Sequence, residues 1–319
     1  MRSARSVRVR ALAKINLGLR VLARRSDGYH ELRTVFQTIS LADHINITYT
    51  PGRKIAIELD DSSGIPDNLV VRAARTTLES LRAAGSVEIR LRKRIPVGAG
   101  LGGGSSDAAA ILLALPVLAG RTIGLSTLLE LAAKLGSDIP FFVLGGAAVG
   151  IGRGTELYPL PDLPSHGGLL VVPPVAVSTA EAYRRLSPGL TSESQENKIF
   201  SFQSHTWNLA DGRPLTNDFE PVVFEIHPRL AMLKERLLGA GARAALMTGS
   251  GSAVFGLFRT RGEVSRAAGI FEEPRKVGSQ DRVFRIALVD RARYRAMWWR
   301  ALGEHTTGRV WPPQSRYAR

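Results

Sequence analysis

Five glycines fall within seven positions of PVGAGLGGGSSDAAA (96–110), between a strand-like and a helix-like stretch. Each ordered glycine costs roughly 0.5–1 kcal/mol relative to alanine, so five together need a use. Without side chains in the way, the backbone N–H groups of such a loop can close on an anion. The start of a following helix adds unpaired donors and a partial positive charge. Ser105 and Ser106 bring hydroxyls suited to capping, to a phosphate or to a metal. The chemistry is that of a polyphosphate cradle. It is not a Walker A loop, because no lysine precedes Ser105. Gly98, Gly100 and Gly103 match G-x-G-x-x-G, yet AGRTIGL (119–125) lacks the acid that a dinucleotide site needs about 20 residues on. The H-R-D and D-F-G partners of a protein-kinase loop are also missing.

Two other residues stand out by type and surroundings. Lys14 interrupts the apolar ALAKINLGL (11–19), where an ammonium requires a partner, and Asn16 shares its strand face. Asp138 sits between Gly136 and Pro140, a setting that suits either a helix N-cap or a proton acceptor ionised at neutral pH. The six histidines (30, 44, 166, 205, 227, 305) show no zinc-site spacing.

Hydrophobic periodicity supplies the elements that must hold these residues. Segments 7–22, 44–50 and 54–59 alternate as strands, with PGR (51–53) marking a hairpin between the last two. Segment 68–85 reads as a helix stopped by Gly85, and 86–98 as a strand feeding the glycine loop. Segment 105–115 is a buried helix broken or kinked near Pro116, and 125–136 a helix with Ser126 as N-cap. The Pro- and Gly-rich 157–168 is the best domain boundary. Beyond it come a strand from 168, a helix over 227–241, a strand–turn–strand unit over 243–258 and a strand over 281–289; 191–207 reads as a polar loop. Strands and helices in mixed order favour α+β.

The 319 residues, 44% hydrophobic and 22% charged, allow two domains of roughly 150 residues each. No stretch reaches the ~18–20 apolar residues of a membrane span. The basic start lacks an apolar signal region, so the expected location is cytoplasmic. With no cysteine, disulfides, thiolate metal sites and a cysteine nucleophile are excluded. The net charge is +15, but only seven of the 43 basic residues are lysines and the arginines are scattered. That pattern favours attraction of anionic small substrates over nucleic-acid binding.

PVGAGLGGGSSDAAA resembles the second motif of the GHMP small-molecule kinases. AKINLGL (13–19) resembles the first motif, LMTGSGSAVFGLF (246–258) the third, and PDNLVVRAA (66–74) the segment near the nucleotide base. RSDGYHELRTVFQTISLADHI (25–45) and LGSDIPFFVLGGAAVGIGRGTEL (135–157) are similar to one branch of that family. Its acceptor is a cytidine-diphosphate-linked methylerythritol. The resemblance spans about residues 7–290.

The resemblance implies an α+β, two-domain GHMP kinase fold. Residues 1–160 form an N-terminal domain of ribosomal-protein-like architecture, and 161–290 a C-terminal ferredoxin-like α/β sandwich. A basic aromatic tail of unknown role follows at 291–319, with seven arginines, one glutamate and three tryptophans; it is expected to be disordered or to pack on its own protein. The implied reaction transfers the γ-phosphoryl of ATP to the 2-hydroxyl of the methylerythritol unit, in the non-mevalonate route to isoprenoid precursors. Lys14 and Asp138 are the implied catalytic pair. ATP is implied to meet Pro96, Val97, Gly98, Ala99, Gly100, Leu101, Gly102, Gly103, Gly104, Ser105, Ser106, Asn68 and Lys93. The substrate is implied to meet Asn16, Tyr29, His30, Thr179, Tyr183, Thr248 and Gly249, with aromatic rings on the cytosine. Magnesium comes with ATP, with Ser106 as a protein ligand. Neither nucleic acid nor membrane is an expected partner, and the expected state is a monomer or weak homodimer. The alternatives are a GHMP kinase acting on mevalonate or homoserine, against which DGYH argues, and a nucleic-acid-binding module.

Overall fold

The computed structural model describes residues 3–61, 64–65, 67–163, 167–186, 198–199, 201–203, 216–272 and 280–318. Two long strands, β1 (Arg5–Arg24) and β2 (His30–Pro51), pair antiparallel along nearly their whole length. The other edge of β2 is shared. β4 (Gly85–Arg92) pairs with its C-terminal half, and β5 (Ala147–Gly152), followed by β6 (Glu156–Pro159), with its N-terminal half.

The hairpin expected at residues 51–53 does not form. β3 (Ala56–Asp61) pairs parallel with β4, as in Ile57↔Val87, and β4 takes the place beside β2. Burial decides this. Val87, Ile89 and Leu91 are at most 1% exposed, whereas β3 carries Glu58, Asp60 and Asp61 and suits an edge.

Helices α1 (Leu69–Ser80), α2 (Gly103–Ala119), α3 (Leu125–Leu135) and α4 (Ile139–Leu144) build the core of this first unit. Three sequence-derived boundaries shift. Helix α1 stops before Arg82, which has φ +48°, and Gly85 instead opens β4, where a Cβ would overlap the Thr50 carbonyl oxygen. Gly124 precedes α3, so Ser126 lies inside the helix, its Oγ 3.2 Å from Glu130 Oε1. Helix α2 runs through Pro116 and ends at Gly120. All of its residues 106–118 are buried, so packing on every side outweighs the one backbone bond that proline cannot make.

The second sheet contains β7 (Gly167–Val172), β8 (Ala244–Met247), β9 (Val254–Phe258) and β10 (Arg282–Ala287), ordered β10-β7-β9-β8 and antiparallel. Counted in chain order this is the 4-1-3-2 arrangement of a ferredoxin-like sandwich. Its helices are α5 (Thr179–Leu186), α6 (Phe219–Ile226), α7 (Pro228–Gly239) and α8 (Arg261–Glu272). The period-2 pleat of β7 divides its side chains. Leu169 and Val171 join the core under these helices, while Leu170 and Val172 meet Ala13, Ile15 and Leu17 of β1. That shared apolar layer fixes the two units against each other. Segment 191–207 lies outside the described residues, apart from helical 198–199 and 201–203.

Helix α9 (Arg291–Ala301), in the tail, buries Tyr294 and Trp298 in the first core. The Tyr294 hydroxyl donates to the Phe142 carbonyl of α4, and its ring occupies the space beside Gly145. Arg291 donates to the carbonyls of Ala147 and Leu160. A Cβ at Gly145 would overlap the Tyr294 ring, and φ there is +65°. Gly145→Ala is therefore expected to cost about 2–5 kcal/mol, strain and overlap combined. Thermal unfolding should show a Tm lower by roughly 10 °C. An unchanged Tm would show that the tail helix does not support α4.

Candidate active site

The strand–loop–helix unit β4–α2 builds the cradle. Gly98, Gly100 and Gly102 have φ of +72°, +77° and +69°, a region that favours glycine. Close approach makes two of them irreplaceable. A Cβ at Gly100 would overlap the Thr248 carbonyl oxygen; one at Gly102 would lie 2.8 Å from the Phe142 ring and 3.2 Å from Lys14 Cγ. The loop thus touches both the third motif and the candidate catalytic lysine. A cavity of about 320 Å³ is lined by residues 95–105 together with Asn68, Lys93 and Asp107. Every residue expected to meet ATP lines it except Ser106. The Ser106 side chain points into the core, and its Oγ donates to the Leu12 carbonyl at 2.7 Å, tying α2 to β1. Ser105 is the hydroxyl on the cavity side. Asn68 has a structural duty as well: Oδ1 accepts from Val70 N (3.0 Å) as the cap of α1, and Nδ2 donates to Asp61 (2.8 Å).

Lys93 is held by two buried carboxylates, its Nζ 2.5 Å from Asp43 Oδ2 and 2.7 Å from Asp107 Oδ2. Burial opposes its charge, but the two acids more than compensate and raise its pKa. Asp43 is saturated, because its Oδ1 also accepts from Arg94 N and Ile95 N. Asp107 is not. Its Oδ1 is buried without a hydrogen-bond partner, and burial, opposed by Lys93 and assisted by Asp43, pushes its pKa up to about 7. Above that pH the cradle wall carries one more negative charge than below it. The folded state binds the Asp107 proton more tightly than the unfolded state does. Its stabilising contribution is thus full below the ordinary carboxylate pKa and lost as pH rises through about 7. Nucleotide affinity should likewise fall roughly three- to tenfold between pH 6 and 8, from like-charge repulsion. Calorimetric titration at several pH values checks this, and Asp107→Asn should flatten the profile.

Register irregularities in β1, between Leu12 and Lys14 and between Asn16 and Gly18, bracket the polar pair and aim it toward the loop. Lys14 is 4% exposed; its backbone N donates to Leu101 O (3.0 Å) and its Nζ to Asn16 Oδ1 (2.8 Å). Asp138 Oδ2 lies 3.5 Å from the same Nζ. Asp138 stands at the N-terminus of α4 yet makes no side-chain capping bond, so its carboxylate is not committed to the helix. Asn16 is differently placed from the sequence-based expectation. Oδ1 is engaged by Lys14, Nδ2 donates to Thr34 Oγ1 (2.8 Å), and the backbone N donates to Thr248 Oγ1 (3.0 Å). With its polar groups engaged and 1% exposure, Asn16 holds Lys14 Nζ and lines neither cavity. Thr248, fully buried, and Gly249 line neither cavity; they seat the third motif against the glycine loop.

A second cavity of about 860 Å³ is lined by Tyr29, His30, Thr179 and Tyr183, with Arg24, Arg153, Arg184, Ser137 and Asp138. The His30 and Tyr183 rings stack on each other with centroids 4.3 Å apart, so no base fits between those two. Tyr29 is 49% exposed and carries the Arg153 guanidinium 3.7 Å from its ring centre. Burial, with Arg24 adding to it, pulls the His30 pKa down, and burial pushes the Tyr183 hydroxyl up to about 12. Thr179 Oγ1 is 2.7 Å from Ser250 Oγ, linking this wall to the third motif. The ion pair Lys14–Asp138 therefore joins two cavities: Lys14 touches the glycine loop, and Asp138 lines the wider pocket.

The model of the GHMP kinases N terminal domain matches residues 68–146, and that of the GHMP kinases C terminal matches 207–275. A 4-diphosphocytidyl-2-C-methyl-D-erythritol kinase of Solibacter usitatus (strain Ellin6076) is 60% identical over 321 residues, 99% of each chain. The chain belongs to the 4-diphosphocytidyl-2-C-methyl-D-erythritol kinase family, within the GHMP kinases. The kinase of the same name from Pelotomaculum thermopropionicum (strain DSM 13744 / JCM 10971 / SI) is 46% identical over 254 residues, 77% of this chain and 87% of that one. A crystal structure of a 4-(cytidine 5'-diphospho)-2C-methyl-D-erythritol kinase superposes with a TM-score of 0.73 at 37% identity, covering 88% of this chain and 98% of the other. As a member of this kinase family the chain is a small-molecule kinase that uses ATP. Among the described residues no helix is long and apolar enough to cross a membrane.

Several residues that build the site escaped the sequence reading: Thr34, Asp43, Asp107, Arg153 and Asn217. Asp107 had a usable signal, since it opens directly onto the apolar run AAAILLAL (108–115), and Asp43 a weaker one after SLA (40–42). Asn217 had none. Its Nδ2 donates to the carbonyls of both Met247 and Gly249, a role visible only after folding.

Proposed function

We propose that the chain transfers the γ-phosphoryl of ATP to the 2-hydroxyl of 4-diphosphocytidyl-2-C-methyl-D-erythritol. The observation that carries this reading is the Lys14–Asp138 pair at the meeting of a backbone-lined cradle and an aromatic, arginine-rich pocket. The glycine-loop N–H groups and the start of α2 hold the polyphosphate. Asp138 takes the proton of the acceptor hydroxyl as its oxygen bonds to the γ-phosphorus, and the bond to the β–γ bridging oxygen breaks to release ADP. Lys14, oriented by Asn16 and 3.5 Å from Asp138, offsets charge on the transferring group. Tyr29, with Arg24, Arg153 and Arg184, supplies aromatic surface and countercharge for the cytidine diphosphate end.

The Ser105 hydroxyl on the cavity side, at the start of α2, fits a magnesium ion that is carried mainly on nucleotide phosphates. Ser105 is the hydroxyl in reach of such an ion, in place of Ser106. When bound, magnesium supplies charge neutralisation on the phosphates. We place the enzyme in the cytoplasm as a monomer or weak homodimer, with no nucleic-acid or membrane partner.

A coupled ADP-release assay across the cytidylyl alcohol, mevalonate and homoserine tests the reading. Turnover is expected with the cytidylyl alcohol. Turnover with mevalonate or homoserine instead would overturn the substrate assignment.

A further inference from the structure

A third cavity, of about 790 Å³, lies at the opposite end of α2 from the glycine loop. With 17 residues in α2, the two are separated by about 25 Å. The cavity is enclosed by the start of β1, the end of β2, the C-terminal ends of α1 and α2, and residues 316–318 of the tail. Four arginines line it, Arg5, Arg82, Arg121 and Arg316, and no acidic side chain does.

Helix C-termini attract cations by themselves, so the carbonyls of α2 have to be accounted for. Three of the last four are satisfied by the chain itself. Pro116 O accepts from Arg121 N, Val117 O from Gly120 N and Ser315 Oγ, and Leu118 O from Arg5 Nη1 at 2.6 Å. That occupies one arginine side chain only. Arg316 reaches the Glu304 carbonyl at 3.3 Å, and neither Arg82 nor Arg121 has an ion-pair partner among the described residues. Arg82 is also expensive where it stands. At φ +48° it holds a left-handed position that glycine would fill without strain, at a cost of roughly 1–2 kcal/mol. The Arg5 guanidinium stacks 3.9 Å from the centre of the Tyr317 ring, which fixes one wall.

We propose that this cavity is a second binding site for a small anion bearing a phosphate or diphosphate group, separate from the nucleotide cradle. Its volume falls in the ordinary range of small-molecule sites, and the two guanidinium forks without an ion-pair partner, Arg82 and Arg121, suit bidentate phosphate contacts. The tail closes the site, so tail docking and anion binding support each other.

The test titrates pyrophosphate calorimetrically into the full chain in metal-free buffer, with the cradle saturated by a nonhydrolysable ATP analogue. One equivalent of pyrophosphate should bind beyond what the wider, arginine-rich pocket takes. The double variant Arg82→Gly/Arg121→Ser should bind that equivalent at least tenfold more weakly, so the uptake that remains in it is the wider pocket's. Its turnover and ligand-free Tm should match or exceed those of the parent, because Gly relieves the strain at position 82. Uptake that is equal in the double variant, no uptake by the parent, or displacement by acetate as efficient as by phosphate at equal ionic strength would each overturn the proposal.

Discussion

Asp138→Asn should lower kcat by roughly 10²–10⁴-fold, the usual contribution of a positioned general base, while the Tm stays within a few degrees. The geometry separates the two effects. Asp138 makes no capping bond to α4, and its side chain is about one third exposed, so little of the fold depends on its charge. Lys14 keeps Asn16 Oδ1 at 2.8 Å when the carboxylate is replaced, so the buried ammonium is not orphaned. The amide preserves shape and removes only the ability to take a proton. Nucleotide affinity should be nearly unchanged, because Asp138 lines the wider pocket and not the cradle. Steady-state kinetics with a thermal melt check this. A kcat within threefold of the parent would remove Asp138 from the chemistry.

Gly100→Ala should cost both stability and nucleotide binding. At φ +77° an alanine is strained by about 1–2 kcal/mol, and its Cβ would overlap the carbonyl oxygen of Thr248. Thr248 cannot yield easily. Thr248 is fully buried, accepts from Asn16 N and donates toward Asn16 Oδ1 (3.2 Å). Relieving the overlap would push the third motif away from the glycine loop and disturb the residue that orients Lys14. The combined cost should reach about 3–5 kcal/mol, with a Tm lower by roughly 10 °C and nucleotide affinity lower by at least tenfold. Gly98→Ala is the control. Its Cβ would meet nothing within 4 Å, so only the backbone strain of φ +72° remains. Equal effects from the two substitutions would show that contact with Thr248 is unimportant.

The parts of the site that were legible in the chain are those set by local chemistry. The glycine run points to a backbone anion cage because glycine keeps side chains off the N–H groups, although Gly100 and Gly102 are also demanded by close packing. Lys14 is conspicuous because an ammonium in an apolar strand demands a partner, and the structure supplies Asp138 at 3.5 Å. The expectations that changed involve partners distant in sequence. Asn16 reads as a ligand donor until Thr34 and Thr248 are brought to it, and Ser106 reads as a metal ligand until its hydroxyl is found on Leu12. The 51–53 turn reads as a hairpin until β4 proves the better neighbour for β2.

By itself the sequence indicated part of the element order (β1, β3, β4, α1–α3 and the strands of the second sheet), the glycine-rich loop and the two charged groups proposed for the chemistry, because periodicity, glycine freedom and the desolvation of charge act within a few residues. It gave no sign of β5, β6, α5, α6, α8 or α9. Only the tertiary structure decided which strand pairs with which, that Asn16 and Thr248 serve as supports, and that the tail underpins α4. Those outcomes depend on competition among distant groups for the same hydrogen bonds and the same buried volume, as where Lys93 draws Asp43 and Asp107 together from two other elements.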